Sequence, residues 1–117
     1  MDYIWVMVIK DLIKNRESDF EILCQNNSVK FLFAFGSAVT DNFDFEKSDI
    51  DLVVEIEEPG PISRGEKIIS LWDKLEEFFK KKVDLLTNPN IRNPYLRQSV
   101  DESKILIYDG SKQKIPG

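Results

Sequence analysis

Four short apolar runs, separated by longer stretches with helical periodicity, place the strongest constraint on how this chain can fold. Each run has the length of a strand, and the continuous apolar run at 30–35 is typical of a strand buried on both faces of a sheet. We therefore predict a sheet of four strands. The runs are KFLFAF at 30–35, DIDLVVEI at 49–56, KVDLLT at 82–87 and KILIY at 104–108.

Helices are predicted before and between these strands. The apolar residues of 63–79 mark one face of a helix. Residues 3–15 also have helical spacing, although their β-branched side chains leave a strand open. Ser18 with Glu21 fits a capping box ahead of a short helix, and another short helix is predicted over 94–100. This order indicates an α/β (α+β) fold, a small mixed sheet with helices packed mainly on one face.

Several conspicuous residues have a structural interpretation. The alternating phenylalanines of 31–35 and the apolar stripe of 72–79 are predicted to lie in the core. Cys24 is expected to pack against other apolar groups rather than act as a nucleophile. The lysines at 80–82 are interpreted as a solvated helix end rather than a phosphate-binding patch.

The length of 117 residues suits one compact domain. We expect a single domain over residues 1–109 and a disordered tail over 110–117. The apolar run at 3–9 is too short to span a bilayer, and it lacks the flanks of a signal peptide. The sequence therefore predicts a cytoplasmic protein without a membrane partner.

Charge and composition remove several classes of function. The 16 basic and 21 acidic residues give a net charge of −5, which disfavours nonspecific binding to nucleic acid, although a tRNA-like acceptor stays open. The chain has no histidine, which excludes every mechanism that needs one. Its one cysteine excludes an internal disulfide. Chemistry must come from carboxylates, hydroxyl groups, lysine, arginine or the backbone.

Three acidic residues stand in or beside the predicted strands. Asp49 and Asp51 are two positions apart, so that in a strand their side chains point to the same face. Asp84 has the same setting between Val83 and Leu85. If the two strands are neighbours, all three carboxylates can converge.

Converging carboxylates need a compensating charge. Two like charges 4 Å apart repel by about 4 kcal/mol at an effective dielectric constant of about 20. Such side chains are splayed into solvent, partly protonated or neutralised by a cation, and an isolated D-x-D is most often just a solvated surface. Oxygen ligands with open positions suit Mg²⁺. An EF-hand over 41–51 is excluded, because its required glycine and glutamate are missing.

Gly36 and Ser37 follow the first strand and complete the pattern. Glycine lets the backbone approach a ligand closely, and a helix beginning near Ser37 would direct free N–H groups at a phosphate. The pair on its own is more often an ordinary turn at a strand end. Together with the acids, it indicates a site for a triphosphate.

The combined pattern resembles the nucleotidyltransferase superfamily that includes DNA polymerase beta, and within it the minimal antitoxin-type enzymes. The similar stretches are F-G-S at 35–37, S-D-I-D-L-V-V at 48–54 and V-D-L-L at 83–86. The resemblance implies that Gly36 and Ser37 bind the triphosphate and that Asp49 and Asp51 bind two Mg²⁺ ions. Asp84 is then the third carboxylate, which helps to activate the nucleophile.

The resemblance also implies an activity and a partner. The expected reaction is transfer of a nucleoside monophosphate, AMP from ATP, to an acceptor such as a small helical HEPN-type toxin. The alternative is a nucleotide-binding antitoxin that neutralises its partner by docking alone. An aminoglycoside-modifying enzyme is a third class, disfavoured by the short chain.

Two features depart from the family pattern. Eleven residues, 38–48, separate Ser37 from Asp49, where the family usually has ten. Ala38-Val39 also stands where the family often has an arginine. Both changes bear on how the nucleotide enters and how tightly its phosphates are held.

Overall fold

A computed structural model describes residues 4–36, 49–87 and 92–111, with side chains from Val8 onward. Ser37, the loop 38–48 and the tail beyond 111 lie outside the described residues, so the predictions made for them are not addressed. Within the described ranges, the chain forms four helices and four strands. In chain order they are α1 (Ile4–Asn15), α2 (Glu17–Asn26), β1 (Val29–Phe35), β2 (Ile50–Ile56), α3 (Pro61–Phe79), β3 (Val83–Thr87), α4 (Pro94–Ser103) and β4 (Ile105–Asp109).

The four strands form one mixed sheet in the order β3-β2-β1-β4. β1 pairs antiparallel with both β2 and β4. β2 and β3 are parallel, and the connection between them is the crossover helix α3. Parallel neighbours require such a crossover. This arrangement confirms the predicted α/β fold with a small mixed sheet.

One face of the sheet carries α1, α2 and α3 and the larger part of the core. Strand alternation sends Ile50, Leu52 and Val54 of β2 to this face, where they join buried residues of all three helices. Phe20 of α2 is fully buried there and makes ring contacts with Phe78, Phe79 and Tyr108. Three of the four helices therefore pack on one face, as the sequence predicted.

The opposite face is covered more thinly, by α4. Val100 of α4 packs against Phe35 of β1 and Val53 of β2 in a second, smaller cluster of buried residues. Lys104, directly after α4, places its ammonium nitrogen 4.9 Å from the centre of the Phe33 ring. Because Val53 belongs to this cluster, the alternate residues of β2 face α4.

The N-terminal helices correct one prediction and resolve another. Residues Ile4–Asn15 are helical, so the strand left open for this stretch is excluded. The predicted capping box at Ser18 is wrong, because α2 begins at Glu17 and Arg16 occupies the cap position without a side-chain cap. The Arg16 guanidinium lies 4.7 Å from the centre of the Phe78 ring. This contact with α3 fixes Arg16 between α1 and α2. The local sequence does not reveal the contact, and so it does not reveal which residue precedes α2.

The core predictions hold only in part. Cys24 is buried in the helix-side core, and burial raises the pKa of its thiol, with nearby Glu21 adding to the effect. Trp72, predicted to be core, is instead 37% exposed, and its indole N–H donates to the Val83 carbonyl at 2.7 Å. An indole has a polar edge that needs an acceptor, which favours the boundary of a core over its centre. Phe31 and Phe33 are half-buried rather than fully enclosed.

The residue after β4 bears on the predicted tail. Gly110 lies within the stretch predicted to be a tail, and its N–H donates to the Lys30 carbonyl at 2.7 Å. The chain is thus held to β1 for one residue past β4.

Among the described helices, none has the length and apolar character that crossing a membrane requires.

Candidate functional site

Asp51 and Asp84 lie directly opposite each other on the parallel strands β2 and β3. Neighbouring strands are about 4.8 Å apart, and paired residues point to the same face. That face is the one covered by α4, because Val53 and Leu86, two positions further along each strand, both pack there. The structure therefore brings these two carboxylates side by side, on the opposite side of the sheet from the main core.

Asp49 does not belong to this pair. It is exposed and directly precedes β2, and the Ile50 N–H beside it donates to the carbonyl of Lys82, the residue before β3, at 3.0 Å. Within the described part of the chain, no three acidic or cysteine side chains lie close enough together to form a metal-binding cluster. The three-carboxylate arrangement thus stays a prediction, and Asp51 and Asp84 have the register that it requires.

Gly36 lies against the carboxylate of Asp51. It directly follows Phe35, which pairs with Asp51 across β1 and β2. Its φ of +66° is in the left-handed region, and a Cβ atom here would stand 2.7 Å from Asp51 Oδ2. Glycine is therefore required both for its backbone conformation and for this close approach. The glycine bend and the acid pair are therefore adjacent.

The end of α4 holds Gly36 in place. The Gly36 N–H donates to Ser103 Oγ at 3.4 Å, and the Ser103 hydroxyl donates to the Ser99 carbonyl at 2.7 Å. Sequence reasoning missed Ser103, because a serine in the last turn of a helix is usually a local capping group. Its role depends on α4 lying across β1, which the sequence does not reveal.

Side chains of α3 hold the backbone just before Asp84. The Val83 N–H donates to Glu76 Oε2 at 2.9 Å, and the Val83 carbonyl accepts from Trp72 Nε1 at 2.7 Å. Because β3 is an edge strand, these contacts replace the missing neighbour strand at this residue. Asp84 thus follows a backbone segment that is held by β2 on one side and by α3 on the other.

The donor set suits a hard divalent cation. All the candidate ligand atoms are carboxylate oxygens, which Mg²⁺ prefers, and two of the acids occupy paired positions on adjacent strands. The absence of a side chain at Gly36 also leaves room for the Asp51 carboxylate beside the bend. Asp49, Asp51 and Asp84 are the residues that could hold Mg²⁺.

This fold and site define a small α/β domain with paired carboxylates beside a glycine bend on one sheet face. Residues 20–113 match the family described as "Polymerase beta, Nucleotidyltransferase". The chain belongs to this family. The match includes every described element from most of α2 to β4, and with them the acid pair and Gly36.

Curated relatives support the same assignment. "Putative protein adenylyltransferase MJ0126" of Methanocaldococcus jannaschii is 32% identical over 99 residues, which cover 85% of this chain and 94% of the relative. "Putative protein adenylyltransferase MJ0128" of the same organism is 35% identical with the same coverage. The similarity therefore extends over almost the whole length of these relatives.

Solved structures with the same fold include members of this class. The chain resembles one described as "Structure of putative minimal nucleotidyltransferase" with a TM-score of 0.56 and 27% identity, covering 81% of this chain and 91% of that chain. A toxin–antitoxin structure with AMP-PNP gives a TM-score of 0.58 at 23% identity, covering 83% of this chain and 77% of that chain. At that identity the second likeness shows the fold alone.

Proposed function

We propose that the chain is a Mg²⁺-dependent nucleotidyltransferase that transfers AMP from ATP to a partner protein. The observation that carries this proposal is the pairing of Asp51 with Asp84 on parallel strands, directly beside Gly36. Membership of the polymerase beta nucleotidyltransferase family and the names of the Methanocaldococcus relatives support the reaction class.

In this proposal each residue has a defined task. Asp49, Asp51 and Asp84 would hold two Mg²⁺ ions, which when bound neutralise the triphosphate and lower the barrier to attack by an oxygen nucleophile. Gly36 and Ser37 bind the triphosphate, and the absence of a side chain at Gly36 leaves room for the Asp51 carboxylate beside them. Ser103 and α3 keep the glycine bend and the β3 backbone in register.

The chemical step is an in-line displacement at the α-phosphorus. An acceptor oxygen attacks, the bond to the bridging oxygen of the β-phosphate breaks, and pyrophosphate leaves. Asp84 accepts the proton that the acceptor oxygen loses. Because strand pairing fixes Asp51 and Asp84 relative to each other, the groups are positioned before ATP arrives, which reduces the entropic cost of reaching the transition state.

The acceptor in this proposal is a small helical protein of the HEPN type. The curated relatives are named as adenylyltransferases of proteins. The same fold occurs in a solved toxin–antitoxin structure with AMP-PNP. The resemblance to the minimal antitoxin-type enzymes makes a HEPN-type toxin the acceptor to examine first, with neutralisation following from its modification.

The proposal is tested by titrating the chain with ATP in the calorimeter, with and without Mg²⁺. Asp51→Asn should lower the Mg²⁺-dependent affinity at least about tenfold, because a carboxylate ligand is replaced by a neutral amide. Glu55→Gln is the matched control, since Glu55 lies on the same strand, four residues beyond Asp51. Equal ATP affinity in the two variants would remove Asp51 from the site.

A second measurement separates catalysis from docking. Intact mass spectrometry of the HEPN-type partner, after incubation with ATP and Mg²⁺, should show added adenylyl groups with the wild-type chain and none with Asp49→Asn/Asp51→Asn. If the double variant still neutralises the partner without adding mass, the chain acts as a docking antitoxin and the enzymatic proposal is wrong.

A further inference from the structure

The solvent-facing side of α3 carries large apolar residues. Ile62 is 78% exposed, Ile69 is 71% exposed, and Trp72 is 37% exposed. Their spacings of seven and three residues place them along one side of the helix, and we call them the α3 stripe. The stripe spans about 15 Å, since ten residues of helix rise by 1.5 Å each. An aligned set of this kind marks an interaction surface more often than isolated exposed residues do.

Acidic residues flank the α3 stripe. Glu66 and Asp73 are exposed, and each follows an isoleucine of the stripe by four residues, which makes them its neighbours on the helix surface. The basic residues Lys67 and Lys74 belong to the other flank of α3, where Lys67 is paired with Glu58 at 3.1 Å. The stripe is therefore an apolar seam with a negative border, which is complementary to an apolar seam bordered by lysine or arginine.

The α3 stripe leads into a groove beside the candidate site. The groove has a volume of about 470 Å³ and lies between α3, the edge strand β3 and the start of α4. Trp72 belongs both to the stripe and to the groove, whose lining also includes Leu85 and Leu86, the two residues that directly follow Asp84. A protein that covers the stripe and inserts into this groove would bring its surface next to Asp84.

We propose that the α3 stripe and this groove form the docking surface for the protein acceptor, through an acceptor helix whose apolar seam is bordered by basic residues. The proposal rests on the proposed function and adds to it the place and chemistry of acceptor recognition. Gly65 lies midway along the stripe, and a Cβ atom there would meet nothing within 4 Å. This open position lets a ridge of side chains from a partner helix approach the backbone of α3.

A second copy of this chain is a poorer occupant of the same surface. Pairing two α3 stripes would bring Glu66 and Asp73 of each copy against the same acids of the other, and like charges across an interface oppose binding. The chain as a whole also has a net charge of −5, so long-range repulsion adds to the local effect. The acidic border attracts a basic partner, whereas it repels a second copy of the chain.

The first test uses a purified HEPN-type protein as the probe, with binding measured by calorimetry in the absence of ATP. Ile69→Ser should weaken binding about tenfold or more, the usual effect of removing an anchor at the centre of an interface. Ile22→Ser is the matched control, because Ile22 is a 54% exposed isoleucine on α2. Thermal unfolding of both variants should match that of the wild type.

The second test reverses the charge of the border. Glu66→Lys/Asp73→Lys should weaken binding at low salt, and it should remove most of the salt dependence seen with the wild-type chain. Asp11→Lys/Glu17→Lys makes the same change in net charge at exposed positions of α1 and α2. If the two double variants bind the probe equally well, local complementarity at α3 is refuted.

The outcomes for docking and for catalysis can be told apart. If wild type adds adenylyl groups to the probe and Ile69→Ser binds and modifies it equally well, docking at the α3 stripe is overturned while the proposed function stands. If Ile69→Ser loses binding but wild type transfers no AMP, docking stands and the proposed function fails. No binding of the probe by wild type, or loss of self-association in Ile69→Ser by analytical ultracentrifugation, would overturn the docking proposal.

Discussion

The two faces of the sheet differ in how they are packed and in what they carry. The helix-side face is covered by α1, α2 and α3, and its core draws buried residues from those helices and from all four strands. The site face is covered by α4, and its buried cluster consists of Phe35, Val53 and Val100, with Phe33 and Leu86 partly buried beside it. The acids Asp51 and Asp84 lie on this thinly covered face.

This difference teaches how so small a domain can hold a polar site. Ionised carboxylates are costly to bury, so a face with a deep apolar core cannot carry them. The helix-side core holds the strands in fixed positions. The acids on the other face are held as well, because each is joined through the backbone to neighbours that are buried in that core. Ile50 and Leu52, buried against the helices, flank Asp51 in this way. The predictions below test the division of roles, in order of decreasing effect.

The largest effect is expected in the helix-side core. Leu75→Ala should lower the free energy of unfolding by about 2–5 kcal/mol, because Leu75 is fully buried in α3 and its truncation leaves a cavity. Val100→Ala, on the site face, should cost roughly 2 kcal/mol, since fewer atoms are removed from a smaller cluster. Urea unfolding of both variants measures the difference. Equal losses would show that the two faces contribute alike to stability.

A smaller effect on stability and a larger one on ligand binding are expected at the glycine bend. Gly36→Ala should destabilise the fold by about 1–2 kcal/mol through its left-handed backbone, and its new methyl group would displace the Asp51 carboxylate. The Mg²⁺-dependent affinity for ATP, measured by calorimetry, should therefore fall by more than the stability loss explains.

The matched glycine control for that prediction is Gly65→Ala. A Cβ atom at Gly65 meets nothing within 4 Å, and alanine favours the helix by about 1 kcal/mol. The Tm should rise and ATP affinity should stay unchanged. If Gly36→Ala also retained full ATP affinity, the close approach of Gly36 to Asp51 would have no part in nucleotide binding.

The smallest effect is expected at the contact between α4 and the glycine bend. Ser103→Ala should reduce stability by about 0.5–1 kcal/mol, because the Gly36 N–H loses its acceptor, and ATP affinity should fall slightly with it. Ser103→Thr keeps the hydroxyl and should restore both. Gln98→Ala removes an exposed hydrogen bond to Glu102 on the same helix and serves as the control. A Gln98→Ala effect as large as that of Ser103→Ala would assign the loss to α4 itself.

The local sequence pattern was sufficient to predict features that depend on a single helix or strand. The apolar runs predicted all four strands, and the helical stretch ending at Phe79 predicted the crossover helix between β2 and β3. Local pattern was insufficient where two elements meet. Ser18 fits a capping box by its neighbours in sequence, yet Arg16 takes the cap position while its guanidinium lies against Phe78. Trp72 fits the apolar stripe, yet its N–H needs the Val83 carbonyl.

The sequence by itself determined the fold class. It also determined which residues of β2 face each side of the sheet, since period-two alternation depends on neighbours along one strand. The three acids of the proposed site were nominated by the sequence as well. The tertiary structure alone decided that Asp51 stands opposite Asp84, that Gly36 lies against Asp51, and that Ser103 holds Gly36. The physical reason is that strand register and helix placement arise from the packing of the whole core, in which residues far apart in sequence must fill one shared volume.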